Sequence, residues 1–189
     1  AQFGGKHPLS IPRVSAVLDL IRAISICDKE EYQTGPCAKP KLLQRFHTPE
    51  YISVLKKTEA SQEISEIDAK TYNIGSLSNP VFPEMFKRPA TSVGSSLLAA
   101  DLVIDGGRAY SLGGGLHHGM AGYANGFCFL NDLAFAIHRL RELGIQRVAY
   151  IDLDAHHCDG VTAAFPEDEN LFIVSAHEEK RWPFTGGIC

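Results

Sequence analysis

The 189-residue chain has no excess of basic charge: 18 lysines and arginines face 22 acidic residues, for a net charge of −4. Without a basic stripe there is no electrostatic drive toward nucleic acid or an anionic membrane surface. No apolar run approaches the roughly 20 residues that a membrane helix needs, and no leader pattern opens the chain. Cysteines are few, odd in number and scattered, at 27, 37, 128, 158 and 189, with no Cys-x-x-Cys pair. That scatter argues against a disulfide framework or a zinc knuckle and for a reducing compartment, the cytoplasm. Two common catalytic signatures are also missing. There is no Gly-x-Ser-x-Gly nucleophile turn and no phosphate-binding Gly-Lys-Ser/Thr loop.

What remains is ordinary globular composition, 44% hydrophobic and 21% charged, and enough length for one domain with a real core. Neither Ala1-Gln-Phe-Gly-Gly5 nor Gly186-Gly-Ile-Cys189 has the character of a natural boundary, so residues 1–189 are read as part of a single domain. Apolar residues at Val14, Val17, Leu18, Ile21 and Ile24 mark a helical face. Thr48-Pro49-Glu50 opens a second helix, with a cap, a first-turn proline and an acid near the positive end, running to about Lys57. Residues 59–90 carry turn chemistry without a period and are read as a long surface loop. A further helix is expected from about Ala90 to Ile104.

The pattern then alternates. A short strand is expected at Arg108–Leu112 and a helix capped by Asn131 or Asp132 and ended by Gly144. A strand at Arg147–Asp154, a short helix and a strand at Asn170–Ser175 follow. Weak alternation in the 147–154 segment predicts a strand covered on both faces. The expected fold is α/β, a parallel β-sheet flanked by helices, with ligands bound beyond the carboxyl ends of the strands.

Two chemically dense segments fall at those ends, Gly113-Gly-Gly-Leu-His-His118 and Asp152-Leu-Asp-Ala-His-His-Cys-Asp159. Strand residues two apart share a side, so Asp152, Asp154 and His156 can converge. Asp154 and His156 suit a borderline cation such as zinc, with Asp152 behind them. An isolated Asp-x-His is more often a solvated loop, but an apposed His-His loop changes that balance. Glycine lets backbone approach a ligand closely, and the tandem histidines supply acid/base groups. Only two metal ligands are apparent, whereas a catalytic zinc takes three.

Three motifs in register carry a resemblance: Gly114-Gly-Leu-His-His118, Gly126-Phe-Cys-Phe-Leu-Asn-Asp132 and Asp152-Leu-Asp-Ala-His-His-Cys-Asp-Gly160. In order and spacing they resemble the zinc-dependent histone deacetylase superfamily, nearest its bacterial acetoin-utilisation-type members. The similarity runs from Lys6-His-Pro8 to Trp182-Pro-Phe-Thr-Gly186. It implies a three-layer α/β/α arginase/deacetylase fold, truncated here. It also implies hydrolysis of N-acetyl or other N-acyl amines, either acyl-lysine or an acylated polyamine.

The resemblance assigns roles by position. Asp154 and His156 would be metal ligands, for Zn²⁺ or, with the same donors, Fe²⁺. His118 would be general base and acid, and His117 electrostatic support. Asp152 would bond His117, and Asp159 would bond His118. Gly126 would offer its carbonyl to the substrate amide, Phe127 and Trp182 would line the acyl-lysine tunnel, and Arg13 would lie beneath the site. Potassium would sit at Asp152, Asp154, His156, Ser175 and Ala176. On their own, Phe127 reads as core and Arg13 as surface.

The departures are informative. Cys158 stands where the family has glycine and is read as an inert thiol. Ser78 falls near a rim aspartate of many eukaryotic members, so peptide recognition is not implied. The family's third ligand, an aspartate, and its transition-state tyrosine belong to later segments. The chain alone is therefore expected to be inactive and less stable than an intact domain. An arginase-type ureohydrolase shares Asp154-Ala-His156, but its two-manganese site needs an aspartate where Cys158 stands. A non-catalytic small-ligand module on the same fold would have no need of the full histidine and aspartate set.

Overall fold

The structure, a computed structural model, describes residues 12–187, so the Lys6-His-Pro8 start of the resemblance lies outside it. Helix α1 (Arg13–Ala23) carries the expected apolar stripe yet buries none of its residues. A short α2 (Pro40–Leu43) leads through His47 to α3 (Pro49–Ser61), whose Thr48 cap accepts the Tyr51 N–H. The expected surface loop at 59–90 is instead a built part of the core. Helix α3 runs on to Ser61, α4 (Glu66–Tyr72) follows a Ser65 cap, and α5 (Lys87–Leu102) begins earlier than expected. Between α4 and α5, Ile74, Phe82, Met85 and Phe86 are buried against Tyr51, Leu55, Val93 and Leu130. These side chains are buried from turns rather than from a helix or strand, so no period marks them. Buried Asn79 makes the turns tolerable by donating to the carbonyls of Asn73 and Ala124.

Helix α6 (Asp132–Glu142), capped by Asn131, packs along α5. Arg108–Leu112 does not form the expected strand. A strand exists only by pairing, and no described segment pairs with it. The sheet of the described residues consists of β1 (Val148–Asp152) and β2 (Leu171–Ser175), parallel, from Val148 opposite Leu171 to Asp152 opposite Ser175. Helix α7 (Asp159–Ala164) makes the crossover.

One face of this pair packs on Ile137, Cys158 and Val161. The other is bare, contrary to the expected double cover: Ile151 is 64% exposed and Phe172 68%. The apolar content of β1 is two-sided, but the described helices lie on one side only. No helix of the described residues is long and apolar enough to cross a membrane.

Candidate active site

Strand β1 ends at Asp152, and the chain turns through Asp154 and His156 into α7, whose first residue is Asp159. Loop 113–119 meets this turn from the α5 side and is tied down by Asp132. The Asp132 carboxylate accepts the Leu116 N–H at 2.7 Å, the Gly115 N–H at 3.2 Å and the Ser96 hydroxyl at 2.5 Å. Burial pushes its pKa up, while these donors pull the other way. His47 ties the same loop from behind: its Nδ1 lies 3.0 Å from the Met120 carbonyl, and its Nε2 accepts the Asn131 N–H at 3.1 Å. So held, the loop delivers His117 and His118 buried, with ring centroids 3.9 Å apart.

Each histidine meets its own carboxylate. His117 Nδ1 is 2.7 Å from Asp152 Oδ2, and His118 Nδ1 is 2.6 Å from Asp159 Oδ1. A carboxylate only accepts, so each Nδ1 carries the proton and, in the neutral ring, each Nε2 keeps its lone pair. Asp152 also accepts from the Tyr150 hydroxyl and from the Asp154 N–H. Burial opposes its ionisation, yet the donors His117, Tyr150 and Asp154 outweigh it and hold the pKa down at about 2. Burial also opposes charge on His117. The bond to Asp152, with the nearby charges of Asp152, Asp154 and Asp159, outweighs it and raises the pKa. Asp159 accepts the Asn125 side-chain amide at 2.9 Å and the Gly160 N–H at 2.8 Å.

Beyond the dyads, Asp154 Oδ1 lies 2.9 Å from His156 Nδ1 and 3.9 Å from His117 Nε2. Two donors of a tetrahedral zinc, each about 2.0–2.1 Å from the ion, stand about 3.3 Å apart. The Asp154–His156 pair therefore fits two positions of such a site with a small relaxation. Burial opposes the charge of Asp154, but the His156 N–H and ring outweigh it and lower the pKa, leaving the carboxylate that a ligand must be. Among the described residues, no group of three or more such ligands gathers.

Trp182 stands over the histidines, with ring centroids 4.7 Å from His118 and 5.9 Å from His156. Gly126 has no room for a side chain, since a Cβ would meet the His118 ring at 2.6 Å and Trp182 closer still. Gly126 and Trp182 thus lie against His118, and Phe127 follows Gly126 in the same turn, part-exposed. A cavity of about 510 Å³, lined in part by Trp182, Asn125, Asp159 and Thr162, opens beside the dyad. Ser175 and Ala176 lie at the end of β2, where Ala176 N–H donates to the Asp152 carbonyl and Ser175 Oγ is 2.8 Å from His177 Nδ1. Arg13 is not brought to this cluster; it is exposed at the start of α1. Ser78 is exposed as well. Cys158 is fully buried, and burial pushes its thiol pKa up.

Sequence reasoning passed over Tyr150, Asn125 and His47. Tyr150 sits two residues before Asp152 and so on the same side of β1, a signal that was available. Asn125 precedes Gly126, a pair that favours a turn, but its side-chain partner lies 34 residues on and leaves no local signal. His47 gave no sign, because its contacts lie 73 and 84 residues away.

Comparison with known proteins places the chain in a family. The histone deacetylase domain family matches residues 7–189. The acetoin utilization protein AcuC of Bacillus subtilis (strain 168) is 38% identical over 186 residues, which is 97% of this chain and 48% of that protein. AcuC of Staphylococcus xylosus is 35% identical over 98% of the chain and 48% of its own length. The crystal structure of an HDAC homolog from Aquifex aeolicus superposes with a TM-score of 0.91 at 38% identity, covering 98% of this chain and 50% of that one. The chain thus spans about half the length of these relatives, and over that span its fold is that of the HDAC homolog, a parallel sheet of the deacetylase type with the described helices packed on one of its faces. On sequence and fold together, the chain belongs to the histone deacetylase family.

Proposed function

We propose that this chain carries the acid/base machinery of a zinc-dependent hydrolase of N-acyl amines, with acyl-lysine or an acylated polyamine as substrate. The observation that carries this reading is the pair of adjacent His–Asp dyads beside Asp154 and His156. His118 Nε2, left unprotonated by the Nδ1–Asp159 bond, takes a proton from the attacking water and passes it to the leaving amine nitrogen. His117, whose surroundings favour the charged form, stabilises negative charge developing on the carbonyl oxygen. Gly126 orients the amide through its carbonyl, and Phe127 and Trp182 keep water from the acyl chain. Asp154 and His156 would hold the metal, whose chemistry when bound is polarisation of a carbonyl and acidification of water; Fe²⁺ suits the same donors. The ends of β1 and β2, at Asp152, Asp154, His156, Ser175 and Ala176, would hold potassium.

Residues 1–189 would form one part of a single catalytic domain, and the scattered thiols support a cytoplasmic setting. With two metal ligands gathered among the described residues, the chain by itself is expected to bind zinc weakly and turn over poorly. The test measures metal content and turnover of a fluorogenic acetyl-lysine on this chain and on a form of its relatives' full length. One zinc per chain, turnover in the longer form and a loss of at least about 100-fold in His118→Ala are expected. Two manganese ions per chain, or turnover indifferent to His118→Ala, would overturn the reading.

A further inference from the structure

The segment Asn125-Gly126-Phe127-Cys128 is a tight turn closed by two backbone bonds. Asn125 N–H donates to the Cys128 carbonyl at 3.0 Å, and Cys128 N–H to the Asn125 carbonyl at 2.7 Å. Both central residues have positive φ, 51° at Gly126 and 68° at Phe127. A phenylalanine rarely adopts that conformation, and here it is held by its own N–H donating to Asn79 Oδ1 at 3.1 Å. Asn79 is itself fully buried and bonded onward, so the turn is built rather than loose.

From this fixed backbone the Asn125 side chain reaches across to α7. Its amide donates to Asp159 Oδ2 at 2.9 Å, while Oδ1 of the same carboxylate takes the proton of His118 Nδ1 at 2.6 Å. A carboxylate cannot donate, so the Asn125 amide has one possible orientation. Among the described residues, Asn125 is the one donor to Oδ2. Without it the carboxylate keeps only its Oδ1 contacts, to the His118 ring and to the Gly160 N–H at 2.8 Å, and Oδ2 can swing about a soft last torsion, tilting the plane of the imidazole bonded to it. One residue therefore touches both halves of the site: the turn that presents Gly126 and Phe127, and the carboxylate that orients the base.

We propose that Asn125 is a positioning residue. By holding Asp159 it fixes the ring plane and tautomer of His118, and through its backbone it keeps that base in register with the turn over which the acyl group lies. The proposal rests on the reading of His118 as the general base.

Asn125→Ala and Asn125→Leu, the second close in shape without a donor, are compared with wild type and with Asp159→Asn in the full-length, zinc-loaded enzyme. Partners behind a reacting histidine matter by 10- to 100-fold. A fall of kcat in that range is expected from either variant, with KM within twofold and with little further loss when Asp159→Asn is already present. Losses that multiply across the two sites, or a change confined to KM, would overturn the proposal. A second readout needs no turnover: imidazole proton–nitrogen NMR on this chain. The low-field Nδ1–H signal of His118 should be sharp in the wild type and broadened or lost in both Asn125 variants. An unchanged signal in a folded variant defeats the proposal. A lost signal with no acyl-lysine turnover in the wild type leaves it standing and sinks the activity reading alone.

Discussion

At the scale of single residues, the site is governed by what does not fit. Gly126 has its back to His118 and Trp182, at a φ of 51°, so even a methyl group collides with both rings. Gly126→Ala is expected to cost several kcal/mol, because close overlap and a strained backbone combine. A thermal midpoint within a few degrees of wild type would contradict that. The cysteines separate just as clearly. Cys27 and Cys37 are exposed, whereas Cys128 and Cys158 are buried. Burial pushes the Cys128 thiol up to about 12 and raises Cys158 as well. Since the thiolate is the nucleophile, iodoacetamide should label Cys27 and Cys37 in the native chain and reach Cys128 and Cys158 only in denaturant. Mass spectrometry of native and unfolded samples decides it, and rapid native labelling of Cys158 would sink the inert-thiol reading.

At the scale of elements, His47 joins the lead-in of α3 to the histidine loop and to the cap of α6. Burial lowers its pKa from 6.5 to about 4, with the bonded Ala121 and Met120 backbone pulling the other way. Because the folded chain refuses a proton that the unfolded chain accepts, the contribution is complete above pH 6.5 and is lost as pH falls toward 4. The loss is roughly 3 kcal/mol. His117, with a raised pKa, acts in the opposite sense, so the measurement is a comparison. Urea midpoints at pH 7 and 4.5 should converge more in His47→Gln than in wild type. Equal slopes in the two proteins would rule His47 out. The same long reach explains what could be read in advance. The Asp152–Asp159 segment was legible because its residues are close in sequence on a strand and the turn after it, and so were the α6 cap and the parallel order. The 59–90 core was not, because Phe82 and Met85 are buried from turns that carry no period. The Asn125–Asp159 bond was not either, because it joins segments 34 residues apart.

At the scale of the whole molecule, the β1–β2 pair is lopsided. Helices cover one face, and Ile151, Leu153, Phe172 and Val174 stand exposed on or beside the other, while α1 presents a second uncovered stripe. Contiguous exposed apolar surface drives association. The chain should bind a polarity-sensitive dye and self-associate at raised concentration, and the double variant Ile151→Lys/Phe172→Lys should lessen both. Exposed positions tolerate such changes within about 0.5 kcal/mol, so the variant should still fold. Dye binding and sedimentation that do not respond to the double change would place the sticky surface elsewhere. The chain has a single tryptophan, Trp182, and it is the ring that stands over His118. All of its indole emission therefore has one origin, in contact with the proposed base. Proton uptake by the histidines, a metal beside them or an acyl group under the ring would each alter the brightness of that one fluorophore, so the site can be followed by light in unlabelled protein.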